Sequence, residues 1–270
     1  MNSLKLAATA VLATLCTAAA AGTAPAAPAA PLKTLDEIQA CMSRNLVTRA
    51  ALRDLKIDVA DREGNGHGLR MKLYWKPAAN GDVRVNLRLV EPLPMKDSGY
   101  LLLQNGGNEE VYFHLPTESH AIQITGKNTS EPLWGTDFSY GEIKQVLGLL
   151  YSGDTVVGAD GVYAARPAYV LETTTDLDTT GYRKVVSYVD QGSCVLLKSQ
   201  FYVKGDAPLK VLEADPASIL TLDQYSVVLG YGMRNLQEGT RTTVELSDFT
   251  LLERLPESLF DPKRFFEPFD

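Results

Sequence analysis

The sequence predicts a mainly β protein, a single curved antiparallel sheet with a few helices, and three observations carry that prediction. Short runs alternate apolar and polar residues with a period of two. Turn-forming Gly, Asn, Asp and Pro punctuate those runs, and stretches with helical periodicity are nearly absent.

The elements follow in order. Lys5, the apolar run from Leu6 to Ala21 and the small residues up to Gly22 have the form of a secretory signal peptide over residues 1–22. A flexible Pro/Ala linker over 23–33 follows. An uncleaved anchor is the rival, but the apolar run is short for a bilayer span. Cys16 is preceded by Leu15, where a lipidation site needs a small residue, so Cys16 belongs to the discarded segment.

Thr34-Leu35-Asp36-Glu37 has the spacing of a capping box and opens a helix that runs to about Asn45, with Leu35, Ile38, Cys41 and Met42 on one face. The period then becomes two. Leu69, Met71, Leu73 and Trp75 form one apolar stripe and Val83, Val85, Leu87 and Leu89 another, joined by a hairpin turn at Ala79-Asn80-Gly81-Asp82. Strands are predicted at Tyr100 to Gln104, Val111 to Leu115 and His120 to Thr125, and sequential antiparallel pairing makes them a meander.

Ser130 to Ser152 interrupts the alternation. Trp134, Gly135, Phe138 and Tyr140 lead into a helix predicted from about Tyr140 to Leu150, and the segment reads as an apolar lid. Strands resume at Gly161 to Ala165, Tyr169 to Thr174, Tyr182 to Val189, Cys194 to Val203, Leu209 to Ala214, Ser226 to Met233 and Thr240 to Leu246. The apolar tail from Leu255 to Phe266 packs across one end. No shift in composition divides residues 34–270, which read as one domain. A sheet of roughly ten strands has to curl, and curling leaves a concave apolar face that one short helix cannot cover.

Charge and cysteines narrow the function. Removing residues 1–22 deletes one cation, Lys5, and no acid, so the formal charge moves from -7 to -8. That balance argues against nucleic acid and against anionic lipid surfaces as partners. Cys41 and Cys194 remain, and in an oxidising compartment they pair as a disulfide; a metal site needs more ligands at short spacing.

Arg88-Leu89-Val90-Glu91-Pro92, Ser98-Gly99-Tyr100-Leu101-Leu102, Tyr112-Phe113-His114-Leu115-Pro116 and, most specifically, Leu133 to Tyr140 follow in an order that resembles the LolA-like outer-membrane lipoprotein-sorting proteins. Tyr182 to Asp190, Thr240 to Leu246 and Leu255 to Phe260 extend the resemblance over about residues 36 to 266. It implies an incomplete β-barrel of the LolA/LolB kind, capped by helices, in a periplasmic carrier that holds lipid or lipoprotein acyl chains. The branch resembles companions of RND/MMPL-type exporters, which implies an inner-membrane partner.

Chemistry gives no competitor of equal weight. His67, His114 and His120 have no nucleophile elbow beside them. His114 and His120 could meet across a hairpin, but a third ligand is missing. Asp176 and Asp178 sit in a turn with no apolar pocket to raise a pKa. Asp137 reads as a cap or loop-ordering acceptor. The expectation is therefore a monomeric non-enzyme without metal or cofactor, its acyl contacts made by Leu69, Met71, Leu73, Trp75, Val83, Val85, Leu87, Leu89, Trp134, Phe138 and Tyr140. For the three aromatics, plain packing of the insert on the sheet is the rival. A lipid-sensing or structural module of the same fold is the alternative function, and a hydrolase is the least supported.

Overall fold

The structure, a computed structural model, describes residues 31–268 apart from 79, 223, 224 and 248. The expected signal peptide over residues 1–22, the expected linker up to residue 30 and Ala79 of the expected turn lie outside the described residues.

Helix α1 (Leu35–Ser43) starts where the capping box places it. Glu37 N–H donates to Thr34 Oγ1 at 3.2 Å, and the N–H groups of Lys33 and Thr34 donate to Glu37 Oε2 at 2.8 and 3.0 Å. Those backbone donors hold the Glu37 carboxyl below its usual range. Ile38 and Met42 are buried beneath it.

The strands before the insert are β1 (Ala51–Ala60), β2 (Gly66–Pro77), β3 (Val83–Glu91), β4 (Gly99–Asn105), β5 (Asn108–His114) and β6 (Ile122–Ile124). After it come β7 (Asp154–Val157), β8 (Gly161–Tyr163), β9 (Arg166–Thr174), a one-turn helix α2 (Leu177–Thr180), β10 (Lys184–Asp190), β11 (Leu196–Tyr202) and β12 (Lys210–Ala214). The chain ends with β13 (Ile219–Leu222), β14 (Tyr225–Val228), β15 (Gly230–Asn235), β16 (Thr240–Leu246) and β17 (Thr250–Leu251).

Among the described residues these form a 15-stranded antiparallel sheet and the separate hairpin β13–β14. The sheet order is β6-β5-β4-β3-β2-β1-β16-β15-β12-β11-β10-β9-β7. Each half is a meander. The halves are zipped together by β1 and β16, from Leu55 opposite Leu246 to Ala60 opposite Arg241. The two ends of the order, β6 and β7, do not pair with each other, so the sheet is large, mainly antiparallel and not closed. Residues 125–153 run from one free edge to the other.

The strand count exceeds the sequence expectation of about ten because short strands carry too little pattern to read. β1 was missed for another reason: Arg53 occupies an inward position between Ala51 and Leu55, and breaks an otherwise clear alternation. The expected single strand at Ser226 to Met233 is two, parted at Leu229. The hairpin β13–β14 folds out of the sheet, so β12 pairs with β15.

Register fixes two faces. Arg53, Leu73, Leu87, Tyr100 and Phe113 stand directly opposite one another across β1 to β5, and Leu55, Met71 and Leu89 form the next row. This inner face is covered by residues 131–150 and joins one apolar core. The opposite row, Leu52, Tyr74, Asn86, Leu101 and Tyr112, is the outer face. The C-terminal tail lies across it rather than across an end of the sheet: Leu255, Leu259, Phe260 and Phe265 pack on Tyr74 and Leu101. Gly99 is needed there, because a Cβ on it would come within 2.7 Å of the Phe265 ring.

Candidate functional site

The insert begins with a tight loop built by unusual backbone. Trp134 (φ +51°) and Gly135 (φ +70°) are consecutive left-handed residues, which costs Trp134 about 1 kcal/mol and Gly135 almost nothing. Leu133 N–H then reaches Phe138 O at 2.8 Å, and Thr136 donates its hydroxyl to Leu133 O at 2.8 Å. Trp134 and Tyr140 thereby reach the same ring, with Phe113 centroids at 5.7 and 5.1 Å. Tyr100 OH donates to Tyr140 O at 3.0 Å. Burial pushes the Tyr140 hydroxyl up to about 12 and the Tyr100 hydroxyl higher still.

The helix expected from Tyr140 to Leu150 is a short 3-10 helix, Ile143–Leu147, ended by Gly148 at φ +83°. Its neighbours explain the shortening. Glu142, Lys144 and Gln145 are all buried beside Ile143 and Val146, so tertiary partners surround the turn and no solvent face remains for an amphipathic helix.

Three polar anchors hold the insert to strands on both sides. Asp137 orders the loop, as the sequence suggested: its carboxylate accepts from Thr240 and from Thr242 Oγ1, the latter at 2.8 Å. Glu142 Oε2 accepts from Ser139 N–H at 2.7 Å and lies 3.2 Å from Lys210 Nζ, while Tyr182 OH donates to its other oxygen. Lys210 Nζ also donates to Asp137 O at 2.8 Å. Burial, then the adjacent Glu142 charge, drives the Tyr182 hydroxyl far above its ordinary range. Lys144 pairs with Glu109 on β5 and donates to Ser152 Oγ at 2.7 Å. Burial alone would raise the Glu109 carboxyl, but the Lys144 charge and hydrogen bonds from Lys144, Gln104 and Ser152 outweigh it and hold the group below its usual range.

Other polar atoms of the insert have no such partners. Trp134 Nε1, Ser139 Oγ and both side-chain heteroatoms of Gln145 are buried without a hydrogen bond. Each such group costs about 1–3 kcal/mol.

Beside the insert lies a narrow apolar cleft of about 50 Å³. Met42 of α1, Leu73 and Trp75 of β2, Val146 of the insert and Val227 of β14 wall it, with Arg53 among them. A groove of about 230 Å³ between α1 and residues 148–150 shares Met42, Leu46 and Gly148 with the cleft. Cys194 lines the cleft and is joined to Cys41 by the expected disulfide, with Cα atoms 5.8 Å apart. Asn45 fastens the end of α1 on both sides, donating to Ser193 O at 2.7 Å and accepting from Ser226 N–H at 2.8 Å.

Leu69, Met71, Leu73, Trp75, Val83, Val85, Leu87, Leu89, Trp134, Phe138 and Tyr140 are all buried in one core. Only Leu73 and Trp75 of that set line the cleft. The remaining residues of the set on β2 and β3 share that core with Trp134, Phe138 and Tyr140 of the insert. Sequence reasoning passed over Arg53, Val146, Val195, Leu196 and Tyr231, which come from the unread strand β1 and from turns and strands distant in sequence. Val195 and Leu196 fell within an expected strand, so their burial was legible although their cleft was not.

The histidines do not form the hairpin pair considered above. His114 ends β5, stacks on Phe266 at 3.6 Å and lies 3.0 Å from Glu118 O, whereas His120 is exposed in the loop before β6. Asp176 accepts from Asp178 N–H and caps α2. No group of three or more His, Cys, Asp or Glu side chains able to hold a metal occurs among the described residues.

A family model described as an uncharacterized protein family matches residues 81–266. No curated protein matches the chain. Among solved structures, a DUF1329 family protein from Desulfovibrio piger is 18% identical with a TM-score of 0.72, covering 83% of this chain and 95% of its own. A domain assigned to outer membrane lipoprotein sorting, from Vibrio parahaemolyticus, is 22% identical with a TM-score of 0.71, covering 84% and 96%. The LolA superfamily protein NE2245 from Nitrosomonas europaea is 19% identical with a TM-score of 0.64, covering 85% and 98%. These likenesses establish a LolA-like fold.

Proposed function

The chain belongs to the family of uncharacterized proteins whose model matches its residues 81–266, and we propose that it is a periplasmic carrier of lipid or lipoprotein acyl chains. One observation carries the proposal: the segment that links the two free edges of the open sheet lies over its inner face, beside an apolar cleft. The name of the Vibrio structure, with its lipoprotein sorting, suggests the cargo class. The disulfide fits an oxidising compartment. In this reading residues 1–22 are removed on export, 23–33 are a tether, and 34–270 act as one monomeric lipid-binding domain.

The energetics suit reversible binding. A cleft of about 50 Å³ is far below the roughly 300–1,000 Å³ of ordinary ligand pockets, so an acyl chain enters only when the insert moves. Displacing Trp134, Phe138 and Tyr140 forfeits about 1.5–3 kcal/mol for each side chain. Burying an acyl chain returns about 0.8 kcal/mol per methylene, so roughly ten methylenes offset the opening. Water also reaches the unpaired atoms of Trp134, Ser139 and Gln145 when the insert lifts. A nearly balanced exchange lets cargo be taken up and given away. An RND/MMPL-type exporter in the inner membrane is the proposed donor and the outer membrane the destination.

Native mass spectrometry of protein purified from its own envelope tests this reading. Adducts with the mass of a lipid or acylated peptide are expected. Protein that is uniformly free of lipid, and that stays so when incubated with envelope lipid extract, overturns it.

A further inference from the structure

We infer that the Cys41–Cys194 disulfide is a site of thiol–disulfide exchange with a dithiol oxidoreductase, and that exchange, resting on the carrier reading above, opens the cleft to cargo. The cross-link joins two walls of that cleft. Met42, Leu46 and Val47, from the end of α1 and the turn after it, form one; Cys194, Val195 and Leu196, at the entry to β11, form the other. The bonds from Asn45 to Ser193 and Ser226 do not depend on the disulfide, so opening it loosens α1 without releasing it.

The two sulfurs are placed for different roles. Cys41 is half-buried, and the exposed Arg44 donates from Nη2 to its Sγ at 2.9 Å. Cys194 is 3% exposed and sits at φ +57°, a left-handed conformation that is costly for a non-glycine residue and is free to relax once the bond opens. An external thiolate therefore reaches Cys41. It attacks Cys41 Sγ, the S–S bond breaks, and Cys194 leaves with the electron pair and takes the proton of the partner's second thiol. That second sulfur, now a thiolate, attacks the partner's sulfur in the mixed disulfide. Cys41 leaves as a thiolate facing the Arg44 guanidinium, and recovers from water the proton that the first thiol gave up. The dithiol loses two electrons and two protons and becomes a disulfide; both cysteines become thiols. In the reverse direction Cys41, beside the same cation, is the nucleophile.

Dithiothreitol added to the folded protein tests the chemistry, with the freed thiols alkylated after an acid quench and counted by mass. The reduction rate should rise in proportion to dithiothreitol concentration, because the bond is reached in the native state. A plateau at the rate of global unfolding overturns the inference, since the bond would then be reached only through the unfolded chain. In the reduced protein iodoacetamide should modify Cys41 at least about tenfold faster than Cys194, and the reverse order overturns the assignment of roles. Arg44→Gln changes an exposed side chain, so folding is not at stake; it should move the pH profile of Cys41 alkylation upward, and an unchanged profile removes Arg44 from the mechanism. Uptake of the neutral fluorophore N-phenyl-1-naphthylamine reads the cleft. The reduced protein should take up this probe at least about tenfold faster than the oxidised protein, and the variant with Ser at both positions should behave like the reduced form and ignore dithiothreitol. Equal uptake by the two redox forms overturns the gating and leaves the carrier reading intact. No uptake by either form removes the carrier reading, while the dithiothreitol kinetics still decide the exchange.

Discussion

Two stretches of chain cover the two faces of the same sheet, and they are held in opposite ways. On the outer face the tail is gripped through its backbone. Buried Asn86 donates to Leu259 O at 2.7 Å and to Phe265 O at 2.9 Å, and Arg88 donates to Phe266 O and Glu267 O. Lys76 and Arg84 both meet Glu257 at its start. On the inner face residues 131–150 are anchored at Asp137, Glu142 and Lys144, yet Trp134, Ser139 and Gln145 bury polar atoms without partners. No side chain of the tail from Leu255 to Phe266 has such an atom, although Asn86 Oδ1 beneath it does. Similar aromatic burial thus sits in two polar settings: the tail is gripped by side chains of the sheet, and the insert, the cover that moves in the proposed function, keeps partnerless polar atoms of its own.

That contrast can be broken most sharply at Phe265, which is fully buried. Phe265→Ala should destabilise the whole protein by about 3–5 kcal/mol, read as a lower urea midpoint in a single transition. A separate early transition confined to the tail would make the outer cover as detachable as the inner one. Next in size is the disulfide that holds α1 beside the cleft. Replacing Cys41 and Cys194 together by Ser should cost about 2–4 kcal/mol and raise the rate of probe uptake, because the cross-link closes a very long loop and fixes one wall. Unchanged uptake in a destabilised variant would mean that the entrance lies elsewhere.

The contrast was only half legible in the sequence. The stripes on β2 and β3 announced the inner face by strict alternation, and the hairpin register follows, with Leu73 opposite Leu87 and Trp75 opposite Val85. The Trp134-Gly135 loop showed its aromatics and its pivot. Its helix did not form as expected because Glu142, Lys144 and Gln145 turn inward to partners or to the core, a preference that no local period encodes. The anchor between Glu142 and Lys210 spans 68 residues, and the pairing of β1 with β16 joins strands at opposite ends of the domain. Arg53 was hidden because a cation at an apolar position reads as a break in a strand.

The insert's defects give the third prediction. Gln145→Leu removes two partnerless polar atoms at similar volume, so the closed state should gain about 1–3 kcal/mol. Amide exchange across residues 133–150 should slow, and probe uptake should slow with it. In the wild-type protein, lipid loading should likewise change protection in this stretch and leave that of residues 255–266 unaltered. A destabilised Gln145→Leu would show that the amide has a partner in solution, and the two covers would then be built alike.

The smallest effect separates the covers by pH. Each face has a carboxylate held below its ordinary range: Glu109 beneath the insert and Glu257 at the start of the tail. A lowered folded-state pKa stabilises above the ordinary value of 4.5, and that contribution fades as pH falls through the lowered one. The two differ in exposure. The Glu109 side chain is 26% exposed and faces Lys144, which is 5% exposed, whereas Glu257 is 73% exposed and its pairs are screened by solvent. Protonating Glu109 leaves a buried ammonium without its counter-charge; protonating Glu257 releases Lys76 and Arg84 nearer to water. Below about pH 4.5 amide exchange in residues 131–150 should therefore accelerate before that in 255–266, and Glu109→Gln should give the insert the same acceleration at pH 7. Simultaneous loosening of both covers on acidification would mean that a general charge effect, and not the Lys144–Glu109 anchor, governs the insert.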